Sequence, residues 1–479
     1  MQIVNRAAAI LGSVPAVAGK FRHAIQPEEI TPKMSERNKR RQPEIMHLAQ
    51  FLVHGPTYHS VAMWRHPRST VDGLDWARPE IYQRIARICE RGLLDMVFFA
   101  DLNFISDLYT GSIDPAVRYA AQAPCHDPTP LLSWMGAVTE KIGLSATFSV
   151  NHHSPFYAAR LWATIDHLTS GRAGWNVVTS FNPNEFANHG DDPPPPELRY
   201  DRAWEFIEVC QKLWESWEPD ALVLDRKTPR FADPEKVHRI EHRGRYFASR
   251  GPLNVIRSPQ VGPAILQAGT SPKGIAFAAA FADGVFAIQP SLKGAKTYFD
   301  AVKSAAQRAG RPPEHCRMLF GVQPILGRSR EEALERQCQH NELVPLEAGL
   351  AVLSGHANLD LSRFDLDDTV ETSAELAASR SARVFRDLDG RPLSVREAGQ
   401  RHGQSVGLPQ ITGTATDIAD QLETLYDHIG GDGFMLSPVY LPGAIEEFVD
   451  HVVPELQRRG RFRTAYHGRT QRDHLRQAR

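Results

Sequence analysis

The stretch Tyr157–Gly190, YAARLWATIDHLTSGRAGWNVVTSFNPNEFANHG, sets out in order a helix, a tight turn, a buried strand and a polar loop. Leu161, Ile165 and Leu168 recur at helical spacing, and Ser170-Gly171 stops the helix where glycine can take the left-handed cap. Ala173–Val178 is then apolar and β-prone apart from Asn176, the pattern of a strand buried on both faces of a parallel sheet. Thr179, Ser180, Asn182 and Asn184 gather where that strand ends. In a parallel α/β barrel the C-terminal strand ends are where ligands bind.

The same alternation continues on both sides. Strands are expected at 47–53, 95–100 and 142–150 before this stretch, and at 264–269, 283–288, 318–326 and 433–438 after it. Helices are expected between them, at 79–92, 129–139, 200–217, from 272, at 293–309, from 330, at 416–429 and at 444–459. Eight βα units with right-handed crossovers close into a (β/α)8 TIM barrel, an α/β fold, here over residues 46–460. An open doubly wound sheet is the alternative. It would usually bring GxGxxG after the first strand, and FLVHGPTYH lacks it.

Two stretches leave the rhythm. Polar turns over 218–262 read as a barrel insertion, and 344–410, rich in Asp, Ser and Gly, as a second insertion or mobile lid. The basic end at 461–479, RFRTAYHGRTQRDHLRQAR, reads as a solvated tail. Residues 1–45 combine AAAILGSVPAVAG, which imitates a weak secretory signal, with the charged SERNKRRQPE. A disordered or artefactual extension is expected there, with Met34 as an alternative start.

A chain of 479 residues can bury a large core, and none of its apolar runs approaches the roughly 20 residues that cross a bilayer. A net charge of −1 gives no global pull toward nucleic acid or anionic membranes, so neither is expected as a partner. Five cysteines without a CxxC pair suit reduced thiols in a cytoplasmic protein. Cys89 and Cys210 sit in apolar helical patterns; Cys125, between Pro124 and His126, is the one worth testing for function.

Polar residues recur at the strand ends. His54, His59, Arg65 and His66 follow the first strand, Asp101 and Asn103 the second, and Asn151, His152 and His153 the third. Ser180 follows the fourth, and Gly269, Thr270 and Ser271 the fifth. A metallohydrolase would need converging His and carboxylate ligands, often with HxH on the first strand. That position reads Val53-His54-Gly55, and the adjacent His152 and His153 point apart, so no metal is expected. In QAGTSPKG, Ser271 stands at an N-cap and Pro272 at the first helical position, where its missing N–H costs nothing. An ordinary capped helix accounts for that segment; a phosphate site on the free N–H groups is the other reading. Ser180 and Tyr200, as further hydroxyls nearby in the topology, favour a phosphorylated cofactor.

HLTSGRAGWNVVTSFN, LRYDRAWEFIEVCQKLWESWE, FADPEKVHRIEHRGRYFASRGPLNV and the QAGTS loop resemble the nitrilotriacetate/dibenzothiophene-sulfone monooxygenase branch of the bacterial-luciferase-like superfamily. The resemblance runs from about Met46 to Gly460. It implies a luciferase-like barrel and one half of a two-component enzyme, in which a separate flavin reductase supplies reduced FMN (FMNH2). With O2, the reduced flavin would oxygenate a small-molecule substrate, in a homo-oligomer (dimer or tetramer). It places FMN contacts on Asp101, Ser180, Phe181, Tyr200 and Ala268, Gly269, Thr270 and Ser271. Where many relatives carry GxYDVY and PxNDP, this chain has Phe104–Tyr109 (FISDLY) and Pro124–Pro128 (PCHDP), so Ser106 replaces an aromatic hydroxyl and His126 an amide. His59 and His126 are the candidate catalytic residues, His59 for hydrogen bonding on the substrate side. A flavin- or deazaflavin-dependent oxidoreductase without O2 activation and a non-catalytic flavin-binding protein are the alternatives.

Overall fold

The structure is a computed structural model that describes residues 45–479 except 290, 380, 388, 389, 478 and 479. The extension expected at 1–45 lies, up to residue 44, outside the described residues. Eight parallel strands close on themselves: β1 (His47–Val53), β2 (Met96–Ala100), β3 (Gly143–Ser149), β4 (Ala173–Val178), β5 (Ala264–Gln267), β6 (Gly284–Ala287), β7 (Arg317–Leu326) and β8 (Gly433–Leu436). Each pairs with the next, and β8 returns to β1 with His47 opposite Gly433. The outer helices that bear on the site are α1 (Pro79–Arg91), α2 (Pro155–Leu168), α3 (Pro196–Trp214), α4 (Pro272–Phe281) and α5 (Leu292–Arg308). None of the described helices is long and apolar enough to cross a membrane.

The central stretch folds as its pattern dictates. α2 is capped by the Ser154 hydroxyl, and after Leu168 both Ser170 and Gly171 take positive φ, 55° and 85°, turning the chain into β4. Residues 173–177 of β4 are buried on both faces. The Nδ2 of its one polar interruption, Asn176, donates to Thr147 Oγ1 at 2.9 Å, while Asn176 Oδ1 is buried without a hydrogen-bond partner among the described residues. Phe51, Phe98 and Phe286 fill the lumen from β1, β2 and β6, their ring centroids 5.6–5.9 Å apart.

Three aspartates hold the opposite, N-terminal pole. Asp95, Asp283 and Asp432 each stand immediately before a strand (Asp95 before β2, Asp283 before β6, Asp432 before β8). Each carboxylate accepts the N–H of the second residue of a neighbouring strand: Leu48 at 2.8 Å, Ile265 at 3.1 Å and Met318 at 2.9 Å. Each is also charge-paired. Asp432 meets Lys303 at 2.5 Å and Arg317 at 3.1 Å. Asp283 meets Arg472 at 3.1 Å and Arg476 at 3.4 Å, and Asp95 meets His47 and Arg463.

Three of those cations belong to the segment expected to be a solvated tail, so that expectation is corrected. Phe462, Arg463, Gln471, His474 and Leu475 are buried, and a short helix, Gln471–Arg476, lies across the barrel floor. Gln471 Nε2 donates to Ser145 Oγ at 2.7 Å. The tail's basic character matches buried carboxylates under the strands, a pairing that composition cannot reveal.

The two insertions lie outside the eight-strand cycle. Residues 218–262 form two antiparallel hairpins, Leu222–Asp225 with Arg230–Ala232 and His242–Arg243 with Ala248–Ser249. The second holds more order than its sequence suggested: helices α6 (Leu346–Ala357) and α7 (Val395–Ser405), a cluster of their own around Leu350, Leu353, Leu361, Phe385 and Leu393, and a short strand, Gln410–Gly413, beside β7. Residues 348–355 are buried all round, so no amphipathic period marks the helix.

Removing Arg463 leaves Asp95 buried and short of its cation. Arg463→Met should lower the stability of the barrel by about 3–5 kcal/mol in chemical denaturation. A change below about 1 kcal/mol would show that His47 and the Leu48 N–H suffice for Asp95.

Candidate active site

At the end of β5 the chain builds a cradle. Ser271 caps α4, its hydroxyl accepting the Gly274 N–H at 3.1 Å, and the first N–H groups of the helix have no helical acceptor. Tyr200, on α3, brings its hydroxyl over this turn and accepts from Gln267 Nε2 at 2.8 Å. Tyr298, on α5, donates to the Gly269 carbonyl at 2.8 Å. A Cβ at Gly269 would fall on the Tyr200 hydroxyl and one at Gly274 would lie 2.8 Å from it, so both positions need glycine for the close approach. Gln267 Oε1 is buried without a hydrogen-bond partner among the described residues. Ala268, Thr270 and Ser271 are exposed. Hydroxyls, helix N–H groups and a glycine-walled hollow fit a phosphate monoester such as the tail of FMN.

Ser180, after β4, holds a left-handed backbone at φ 40°. Its hydroxyl donates to Glu185 Oε1 at 2.7 Å and lies 2.8 Å from Ser149 Oγ. Its hydroxyl proton is therefore committed within the protein. Phe181 beside it is 55% exposed, a large apolar face at the mouth. Burial alone would raise the Glu185 carboxyl, but bonds from His152, Ser180 and Asn103 outweigh it and hold Glu185 below the usual range. His152 Nε2 stands 3.3 Å from that carboxylate and stacks on His189 at 4.0 Å. Glu185 lies within the opening stretch, yet its sequence gives no sign that it is the hub of this network.

Across the mouth, Asp101 follows β2 and takes a contact from Cys125 Sγ at 3.7 Å. Burial, reinforced by Asp127, pushes its carboxyl up to about 7. Burial and Asp101 push the Cys125 thiol up to about 12, so Cys125 is a neutral partner and no nucleophile at neutral pH.

His59 lies beneath the mouth, stacked on Phe51 at 3.7 Å, with Nδ1 3.0 Å from Ser437 Oγ at the end of β8. Burial holds it down near 3, hence neutral. His126 is elsewhere: it is exposed on the rim, and its ring packs against His54 at 4.9 Å and Trp76 at 5.0 Å. The neighbours of His59 are two histidines that the sequence reading did not single out, His356 on α6 and His402 on α7, each close enough to act on another's protonation. Both lie in the stretch without periodicity, so no pattern singled them out. Among the described residues, no group of three or more His, Cys, Asp or Glu side chains is arranged to hold a metal.

The raised Asp101 carboxyl has a defined sign in stability. Between the ordinary carboxyl value near 4 and about 7, the folded protein keeps a proton that the unfolded chain has released. Stability contributed by this group therefore falls as pH rises through that window. In the cofactor-free protein, Asp101→Asn should narrow the stability difference between about pH 5 and about pH 7.5. An unchanged difference would count against a protonated Asp101.

A family model described as luciferase-like monooxygenase matches residues 57–433. Dibenzothiophene-sulfone monooxygenase of Rhodococcus erythropolis (strain XP) is 41% identical over 449 residues, which cover 90% of this chain and 96% of the relative. Nitrilotriacetate monooxygenase component A of Aminobacter aminovorans is 41% identical over 407 residues, 83% of this chain and 89% of its own. The crystal structure of DmoA from Hyphomicrobium sulfonivorans superposes with a TM-score of 0.84 at 33% identity, over 91% of this chain and 92% of that one. A closed eight-stranded barrel, polar strand ends at its mouth and similarity along nine-tenths of the chain converge: the protein belongs to the luciferase-like monooxygenase family.

Proposed function

We propose that the protein takes reduced FMN from a separate flavin reductase and uses O2 to oxygenate a small organic substrate in the barrel mouth. The cradle of Tyr200, Gly269, Ser271 and Gly274 carries this reading, because it suits a phosphate at one side of the mouth while Asp101 stands across it. Bound there, reduced FMN supplies the electrons that activate O2 for transfer of one oxygen atom.

The chain's own residues divide the work. Ser271, Thr270, Gly269 and Ala268 hold the phosphate end together with Tyr200, and Phe181 covers an apolar face of the flavin. Ser180 shapes the turn through its bond to Glu185 and offers its lone pairs and backbone to the cofactor. Asp101, its carboxyl raised to about 7, donates a hydrogen bond at the flavin edge in its protonated form. The lumen phenylalanines close the floor and exclude water beneath the reacting atoms. His59, neutral and fixed by Ser437, is the hydrogen-bonding group on the substrate side. His126 acts at the rim, where it meets a substrate entering past Trp76.

The histidines under the mouth are neutral and the floor is aromatic, which favours an uncharged substrate over a polycarboxylate. Dibenzothiophene sulfone and nitrilotriacetate, the compounds named by the two relatives, form a first panel. With a generic reductase, reduced FMN and O2, faster product formation is expected from the sulfone; preference for nitrilotriacetate would overturn the charge argument. Turnover under strict anaerobiosis would replace oxygenation by hydride transfer, and tight flavin binding without O2 uptake would indicate a binding protein.

The phosphate assignment has its own check. Ser271→Ala should weaken FMN binding by about 10- to 100-fold in equilibrium titration, the loss of a hydrogen bond to a charged group. Unchanged affinity would remove Ser271 from the site.

A further inference from the structure

The two helices of the second insertion cross unusually closely. A Cβ on Gly349 of α6 would fall on the Gly399 carbonyl of α7, and one on Gly403 would lie 2.9 Å from the Gly349 Cα. Backbone meets backbone where any side chain would force the helices apart. About two turns along α6 from Gly349, and one residue before Gly403 on α7, His356 Nδ1 and His402 Nε2 are 2.8 Å apart with their rings at 80°.

The two imidazoles are not equivalent. His402 is buried, and His356 is open to water at the end of a helix whose residues 348–355 are all buried. Protein atoms nonetheless surround its ring closely. Its neighbour Gly355 rests against the loop after β2, with the Ser106 hydroxyl 3.0 Å from where a Cβ would be. His59 approaches from the β1 side. Burial keeps His356 near 4 and His402 well below its ordinary value, with His356, His59 and Arg401 adding to the effect on His402.

Two neutral imidazoles at hydrogen-bond distance share one N–H, and that bond couples their tautomers: the ring that donates carries its proton on the facing nitrogen, and the other ring carries its proton on the far one. We propose that His402 is a positioning residue that locks the ring orientation and tautomer of His356, so that His356 presents one defined nitrogen to the substrate in the mouth. The substrate-side part rests on the activity proposed above; the positioning part does not. The glycine crossing supplies the distance, and burial of His402 holds its ring in place. A lone, open histidine would flip its ring and exchange tautomers.

The test compares His402→Gln, His402→Asn and His402→Leu in the full chain. The glutamine amide reaches the place of Nε2, while the asparagine amide stops short and leucine offers nothing. Ring-nitrogen NMR of histidine-labelled protein without ligand should show a single His356 tautomer in the wild type and in His402→Gln. His402→Asn and His402→Leu should show averaging between two. A single, unchanged tautomer in all three variants would overturn the positioning role, and the asparagine variant decides the matter should the leucine variant not fold. With reduced FMN and the sulfone–nitrilotriacetate panel, His402→Asn should lower kcat about tenfold and leave FMN affinity unchanged, with recovery in His402→Gln. Unaltered kcat in His402→Asn alongside tautomer averaging would overturn the substrate-side role alone. A wild type inert toward O2 would instead sink the proposed activity, leaving the tautomer result to decide the positioning.

Discussion

The barrel depends on a carboxylate placed one residue before a strand. Asp95, Asp283 and Asp432 each accept the N–H of the second residue of the adjacent strand, and each is neutralised by cations from elsewhere in the chain. A one-residue slip between parallel strands would turn every side chain to the other face, so a bond that pins one residue at the start of a strand pins the whole register. The polar residues at the far ends of β2, β4 and β5 reach the mouth because this pole is fixed. The tail contributes by supplying Arg463, Arg472 and Arg476. Buried charge of this kind tolerates no missing partner, which ties the last residues of the chain to its first strands.

The mouth uses a second device, close approach through glycine, in two places. Gly269 and Gly274 admit the Tyr200 hydroxyl to the turn before α4, and Gly349, Gly399 and Gly403 admit one insertion helix to another. Glycine within a helix costs about 0.5–1 kcal/mol relative to alanine. In the insertion that cost is set against burial of an apolar cluster and the placing of His356 beside His402.

Electrostatically the mouth is a neutral place built from ionisable groups. Burial holds three histidines unprotonated and raises the Asp101 carboxyl to about 7, so little charge is presented at the mouth by these groups below that pH. Glu185 is the exception, kept ionised by three donors and spent on holding Ser180 in its left-handed turn. A site of this kind suits chemistry whose reactive charge resides on a cofactor and must be shielded from water.

The sequence by itself determined the eight-strand alternation, the buried β4, the turn at Ser170-Gly171 and the cap at Ser271, because each rests on local periodicity or on one residue's backbone preference. The cradle was legible in the same way, since a glycine turn before a Ser-Pro helix start is a local signal. Only the tertiary structure decided that the basic tail is buried, because a surface cation and the partner of a buried carboxylate look alike in composition. The helices of the second insertion were hidden as well: burial on every side erases the period that reveals a helix, and glycine lowers its intrinsic signal. His356 and His402 meet across 46 residues through a contact between backbones. A pairing of that range has no local signature, so it emerges only when the chain is folded.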